Sequence, residues 1–253
     1  MESLDLLAEQ GHWTKCIEKA KAHGLPILHK YLALYATSLL KDSSPIQAVK
    51  VFNTYGTPAI SQNFKIYNRI VKEMLALNID KEENNYEIWS ELRQMLHKLV
   101  ENIKTGNEVN SQTKSHFEEL LLIVHFCALR AICKKVPSLK QIAVKISIAL
   151  LRYIDVIPAD KAFCEADLRE EGRISEAFVF LNYYLDICEA IEEGDSQIID
   201  NTYMEHTDIP TDFPLPKALY LQDDEALHDD IRQWVLTTSM DQNIDQVHVV
   251  LIA

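Results

Sequence analysis

The side chains best suited to chemistry in this 253-residue chain are a few histidines, cysteines and carboxylates. His125 lies two residues before Cys127, but side chains two apart on a helix point in different directions, so this pair does not form a metal site. The acidic residues at 223–225 and 229–230 lack the glycine and the spacing of a calcium loop. These patterns indicate a core or interfacial histidine and a solvated helix end. We therefore expect no enzyme activity, no cofactor and no metal.

The cysteines give no sign of disulfide or metal chemistry either. Their number is odd, no Cys-x-x-Cys spacing occurs, and all stand in apolar helical contexts, which is typical of reduced thiols in a cytosolic compartment. The first turn is acidic and amphipathic, and the most apolar run, 120–128, is too short to cross a bilayer, so we expect no signal peptide and no membrane insertion. The five are Cys16, Cys127, Cys133, Cys164 and Cys188.

The negative charge of the chain is concentrated in one stretch. The net charge is −13, and residues 186–230 contain 14 acidic residues against one lysine, whereas residues 1–185 are nearly neutral. Nucleic acid and anionic membranes would be repelled by this stretch, and no basic stripe elsewhere compensates. Binding to nucleic acid is therefore excluded from the expected functions.

A short phrase recurs near the two ends of the chain: a small residue, an aromatic or β-branched residue two places on, and a second small residue three places further. This phrase is typical of the turn and second helix of a tetratricopeptide-type hairpin, because glycine permits a tight turn and the small residue lets the helices approach. Arrays of such hairpins bind other proteins. The copies are Gly11, Trp13 and Cys16, followed by Ala20; Gly172, Ile174 and Ala177, followed by Leu181; and a relaxed copy, Ser43, Pro45 and Ala48, followed by Phe52.

The hydrophobic periodicity predicts an all-α fold, a tetratricopeptide-like helix-hairpin solenoid. The clearest amphipathic stripe runs from Ile88 to Ile103, and Ser115 with Glu118 is expected to form a capping box ahead of a helix at 120–133. We predict a helical repeat solenoid over 1–193, an acidic, proline-containing extended segment over 194–222, a terminal helix over 223–239 and a divergent tail over 240–253.

The acidic stretch is also the predicted site of partner binding. Three prolines within 210–216 exclude a regular helix, so this part is expected to lie extended and to be tethered mainly by Phe213 and Leu215. Its densely packed acids cannot all be paired internally, which favours a surface for a basic partner. The candidate partner-binding residues are Phe213, Leu215, Asp223, Asp224, Asp229 and Asp230.

Several segments resemble the C-terminal solenoid of the intraflagellar transport 172 family. The likeness extends over about residues 1–242, and the end of the chain departs from the family pattern. The segments that carry it are 7–13, 30–36, 48–52, 212–216 and 231–235.

The resemblance implies a peripheral subunit of the intraflagellar transport B complex, at the cilium and basal body on the cytoplasmic side. Its implied partners are other intraflagellar transport subunits, and its implied role is a non-enzymatic scaffold that helps couple B-type to A-type complexes. Two alternatives remain open. One is a fragment of a ubiquitin-ligase-like protein whose U-box-like domain we expect to be absent here, and the other is an acidic cargo adaptor that uses 186–230.

Overall fold

The structure, a computed structural model, describes residues 2–106 and 110–241, and the regular structure within these ranges is helical, without a β-strand. Short 3-10 turns join several of the helices. The α-helices are α1 (Glu2–Glu9), α2 (Trp13–Ala22), α3 (Leu25–Lys41), α4 (Pro45–Tyr55), α5 (Ser61–Ala76), α6 (Asn85–Thr105), α7 (Ser111–Lys135), α8 (Lys140–Leu150), α9 (Ala159–Glu165), α10 (Ile174–Glu193) and α11 (Glu225–Asp241).

The described residues form two compact units, and the boundary between them falls between Ala128 and Leu129, within α7. In the first unit, α2 packs against α1 and α3, and α4 packs against α3, α5 and α6. In the second unit, α9 packs against α8 and α10, and α11 packs against α10. Successive helices thus pack as hairpins, which confirms the predicted all-α, solenoid-type class.

The turns of the repeated phrase require a left-handed backbone conformation that most residue types avoid. Gly11 and Gly172 have φ angles of 73° and 69°, in the left-handed region where a side chain is disfavoured. In the relaxed copy, Ser43 takes the same role with a φ of 52°. This turn therefore forms without a glycine, and a left-handed non-glycine residue costs on the order of 1 kcal/mol.

The small residues of the phrase lie where helices meet. Cys16 and Ala20 are completely buried on α2, and Ala177 is completely buried on α10. Trp13 is half-buried at the start of α2 and stacks on Tyr35 of α3, with ring centroids 5.0 Å apart and planes 14° apart. The indole therefore joins the second helix of the first hairpin to the helix that follows. The other buried members are Ala48, Phe52 and Leu181.

Two predictions about the middle helices had different outcomes. The stripe from Ile88 to Ile103 is buried along α6, as its period requires. The predicted capping box is wrong, because α7 begins at Ser111 and both residues of the pair lie inside it. Asn110 caps the helix instead, since its Oδ1 accepts a hydrogen bond from the Thr113 amide at 2.7 Å.

Replacing Ala177 with tryptophan should destabilise the chain. The methyl group is fully buried between packed helices, so an indole must displace its neighbours, at a cost of about 1–3 kcal/mol. We expect the melting temperature of Ala177→Trp to fall by roughly 3–10 °C in a circular dichroism melt. Ser175→Trp is the control, because Ser175 is exposed on the same helix. Equal melting temperatures for the two variants would show that Ala177 is not at a close helix contact.

Candidate functional site

The acidic segment between α10 and α11 lies outside regular α-helix and is held by buried apolar side chains. Met204, Ile209 and Leu221 are between 1% and 5% exposed. Phe213 and Leu215, expected to be the main anchors, are only half-buried. The proline-rich part between 210 and 216 forces extended backbone, and the principal anchors are residues on either side of it.

The end of this segment is fixed to α9 by a buried carboxylate. Asp160 is completely buried, and its Oδ2 accepts a hydrogen bond from the Tyr220 amide at 2.7 Å. Its Oδ1 accepts another from the Lys161 amide at 2.9 Å. Burial raises the pKa of the Asp160 carboxyl, and these backbone hydrogen bonds oppose part of the shift. A side chain of α9 thus satisfies the backbone of a segment about 60 residues further along the chain.

Next to Asp160 lies a cluster of three buried charged side chains and one tyrosine, which we call the Glu165 cluster: Arg130, Lys161, Glu165 and Tyr220. Arg130 Nη2 lies 2.7 Å from Glu165 Oε2, and Lys161 Nζ lies 3.9 Å from Oε1. The Tyr220 hydroxyl donates to Oε1 at 3.3 Å, and Lys161 Nζ lies 5.6 Å from the centre of the Tyr220 ring. Two cations and the two carboxylates Asp160 and Glu165 therefore balance one another inside the unit.

The four acids predicted to bind a partner have different surroundings. Asp224 precedes α11, and its Oδ1 accepts from the Leu227 amide at 3.3 Å, a capping contact. Asp230 forms an ion pair of 2.9 Å with Arg169. Asp223 and Asp229 are exposed. Two of the four acids are thus engaged in local structure, and two point their charge at solvent.

Helix α11 is held on the second unit by a buried apolar stripe with a polar contact on either side of it. The Arg169 guanidinium lies 5.5 Å from the Trp234 ring centre, so this tryptophan takes part in docking the helix. On the other side, His228 Nδ1 lies 2.8 Å from the Tyr184 hydroxyl. Ile231 and Val235 are buried between these polar contacts. The helix therefore presents a fixed outer face.

The described residues include neither a candidate metal cluster nor a candidate membrane-spanning helix. They contain no group of three or more histidine, cysteine or acidic side chains able to hold a metal ion. His116 Nε2 lies 2.7 Å from Asn68 Oδ1, and His125 contacts Arg93. None of the helices in the described part is both long enough and apolar enough to cross a membrane.

The chain is similar to known proteins along nearly its whole length. It is 45% identical over 250 residues to the intraflagellar transport protein 172 homolog of Drosophila melanogaster. It is 42% identical over 247 residues to the homologs of Mus musculus and Homo sapiens. The matched region is 97% of this chain. The chain is homologous to a segment of the intraflagellar transport 172 proteins.

This likeness covers only part of those relatives. The chain spans 14% of the length of each of the three intraflagellar transport 172 homologs. No protein-family model matches it. The resemblance found in the sequence is thus confirmed for one segment of these relatives. A role of the longer relatives is assigned to this chain only as a proposal. The predicted divergent tail spans 240–253. Its residues from 242 onward lie outside the described part of the chain.

Removing the guanidinium of the Glu165 cluster should destabilise the chain strongly. Arg130→Met leaves the buried Glu165 carboxylate with Lys161 as the remaining cation of the cluster, and breaking a buried ion pair costs about 3–5 kcal/mol. Urea denaturation measures the change. Lys104→Met is the control, because Lys104 pairs with Glu101 on the surface, where water screens the pair and its loss should change stability little. Similar losses in both variants would contradict the structural role of the cluster.

The cysteines should be inert while the chain is folded. All five are buried thiols outside any disulfide, and burial raises the pKa of the Cys188 thiol to about 12 and that of Cys164 still further. Since the thiolate is the reactive form, we expect reaction with a disulfide reagent at pH 8 to be at least about a hundredfold slower than in denaturant. The release of the coloured thiol measures the rate. One fast cysteine in the folded chain would reveal a reactive thiol and reopen the question of catalysis.

Proposed function

We propose that this chain is a non-enzymatic protein-interaction scaffold in intraflagellar transport, acting in cilium assembly and maintenance. The observation that carries this proposal is the 45% identity over 250 residues to an intraflagellar transport 172 homolog. The all-α hairpin packing supports it, because stacked helix hairpins present extended surfaces to other proteins. In this proposal the chain works at the cilium and basal body, on the cytoplasmic side.

The partners in this proposal are other intraflagellar transport subunits, and the chain helps couple B-type to A-type complexes. The exposed carboxylates of Asp223 and Asp229 lie at one end of α11, a helix that is docked through Trp234 and His228. A rigid acidic surface favours a basic patch on the partner, since complementary charge speeds association and selects orientation. The half-buried Phe213 and Leu215 are candidates for adjoining apolar contacts.

An acidic cargo adaptor is the second candidate, and the same exposed carboxylates favour it. A cargo protein with a basic patch would use the same surface and show the same salt dependence. The ubiquitin-ligase alternative has no observation in its favour among the described residues. The two remaining candidates differ in the identity of the bound protein, which makes direct binding the decisive measurement.

Neutralising the exposed acids should weaken binding to the A-type complex. In Asp223→Asn/Asp229→Asn, Asp224 and Asp230 keep their contacts, so the fold should be unchanged. An exposed charge contributes about 0.2–1 kcal/mol, so we expect affinity for a purified A-type complex to fall about twofold to thirtyfold. The dependence of affinity on salt should also become shallower. Biolayer interferometry at several salt concentrations measures both.

The matched control is Glu9→Gln/Glu18→Gln, which removes two exposed charges from the first unit. Its affinity should stay close to that of the unchanged chain. If the two double variants bind alike, the acidic surface of α11 is not the interface. If the chain fails to bind the A-type complex but binds a ciliary cargo protein through Asp223 and Asp229, the adaptor is the correct function.

A further inference from the structure

A groove of about 930 Å³ lies between α6 and α7 in the first unit. It runs along α6 from Tyr86 to His97, which is about 16 Å of helix, or three turns. The facing wall is the part of α7 from Glu118 to His125. No function considered above uses this groove.

The groove stays open because each of its two helices packs elsewhere in the unit. The buried stripe of α6 includes Leu92 and Leu96, and α6 packs against α4. On α7, the Phe117 ring lies 5.4 Å from Phe64 of α5. The residues in these contacts, Leu92, Leu96 and Phe117, are not among those that line the groove.

One of the residues that line the groove is Arg93, whose guanidinium contacts a hydroxyl and an imidazole. Arg93 Nη2 donates to Ser90 Oγ at 2.9 Å, and Nη1 lies 3.3 Å from His125 Nδ1. Within 2–106 and 110–241, Arg93 forms no ion pair with a carboxylate. A guanidinium of this kind is suited to a carboxylate from outside the chain.

His125 adds a second donor beside the arginine. A guanidinium only donates hydrogen bonds, so Nδ1 of His125 accepts from Arg93, and the proton of the neutral ring is on Nε2. Both side chains line the groove, so an anion bound there would lie beside the guanidinium and the imidazole. This arrangement matches a carboxylate more closely than a neutral side chain.

The groove also has apolar surface and an acidic rim. Leu121 lines it, and Leu122 is 42% exposed there. Three glutamates also line the groove: Glu87 and Glu91 towards the Tyr86 end, and Glu118, whose Oε1 lies 3.8 Å from Lys104 Nζ, towards the His97 end. An occupant would thus meet leucine side chains and one guanidinium with negative charge on either side of it. The complementary segment has apolar residues, a carboxylate for Arg93 and basic residues on both sides of that carboxylate.

We infer that this groove binds an amphipathic helix of a partner protein, which places a carboxylate at Arg93 and His125 and apolar side chains against Leu121 and Leu122. Both walls are α-helices whose backbone groups are bonded internally, so the groove offers no edge for an added strand. A helix of about 11 residues matches the length of the groove.

The inference is tested by selection from a phage-displayed library of helical peptides on the folded full chain, with Arg93→Glu as the counterselection target. We expect the enriched peptides to share an acidic residue one turn from a leucine. A synthetic peptide of the enriched sequence should bind Arg93→Gln at least about tenfold more weakly than the unchanged chain. It should lose affinity to a similar extent when its own acid becomes glutamine.

The control is Lys72→Gln, which removes one positive charge, as Arg93→Gln does, at an exposed position on α5 outside the groove. This variant should bind the peptide like the unchanged chain, and circular dichroism melts should show Arg93→Gln folded. Combining Arg93→Gln with the neutralised peptide should add little further loss, as expected for a direct pair. Enriched peptides without an acid, or binding that is indifferent to Arg93, would overturn the inference.

Discussion

The second unit depends on one buried carboxylate, that of Glu165. A charge removed from water is tolerated only when opposite charges and hydrogen bonds replace the lost hydration, and Arg130, Lys161 and Tyr220 supply these contacts. The three partners come from α7, α9 and the segment before α11. Parts of the chain that are distant in sequence are thus positioned by a single local requirement for charge balance.

Local patterns in the sequence predicted the helices well, because periodicity and turn chemistry act over a few residues. The stripe of α6 and the left-handed turns at Gly11 and Gly172 are cases of this kind. The start of α7 was missed, because residues 111–119 are largely polar and carry little of the apolar period that marks a helix. A strong cap at Asn110 was the signal that could have found it.

The contacts that the sequence could not predict are long-range and polar. Nothing in the residues around Tyr220 indicates that its amide meets Asp160, since their separation in the chain is about 60 residues. The same is true of Asp230 and Arg169. The sequence pattern grouped Asp230 with Asp223, Asp224 and Asp229 as one acidic surface. The fold separates them, since Asp230 pairs with Arg169, whereas Asp223 and Asp229 are exposed to solvent. A carboxylate next to a cation or a buried donor stabilises the folded state more than a carboxylate in water does.

The tie between Tyr220 and α9 bears on how pieces of the longer intraflagellar transport 172 proteins should be cut for laboratory work. The loop between α10 and α11 looks like a natural place to end a recombinant fragment, since it is rich in prolines and acids. A fragment ending there would lose the Tyr220 amide and leave the Asp160 carboxylate in the protein interior without that donor. Fragments that keep the whole segment through α11 avoid this defect, so sound boundaries follow buried polar contacts rather than apparent linkers.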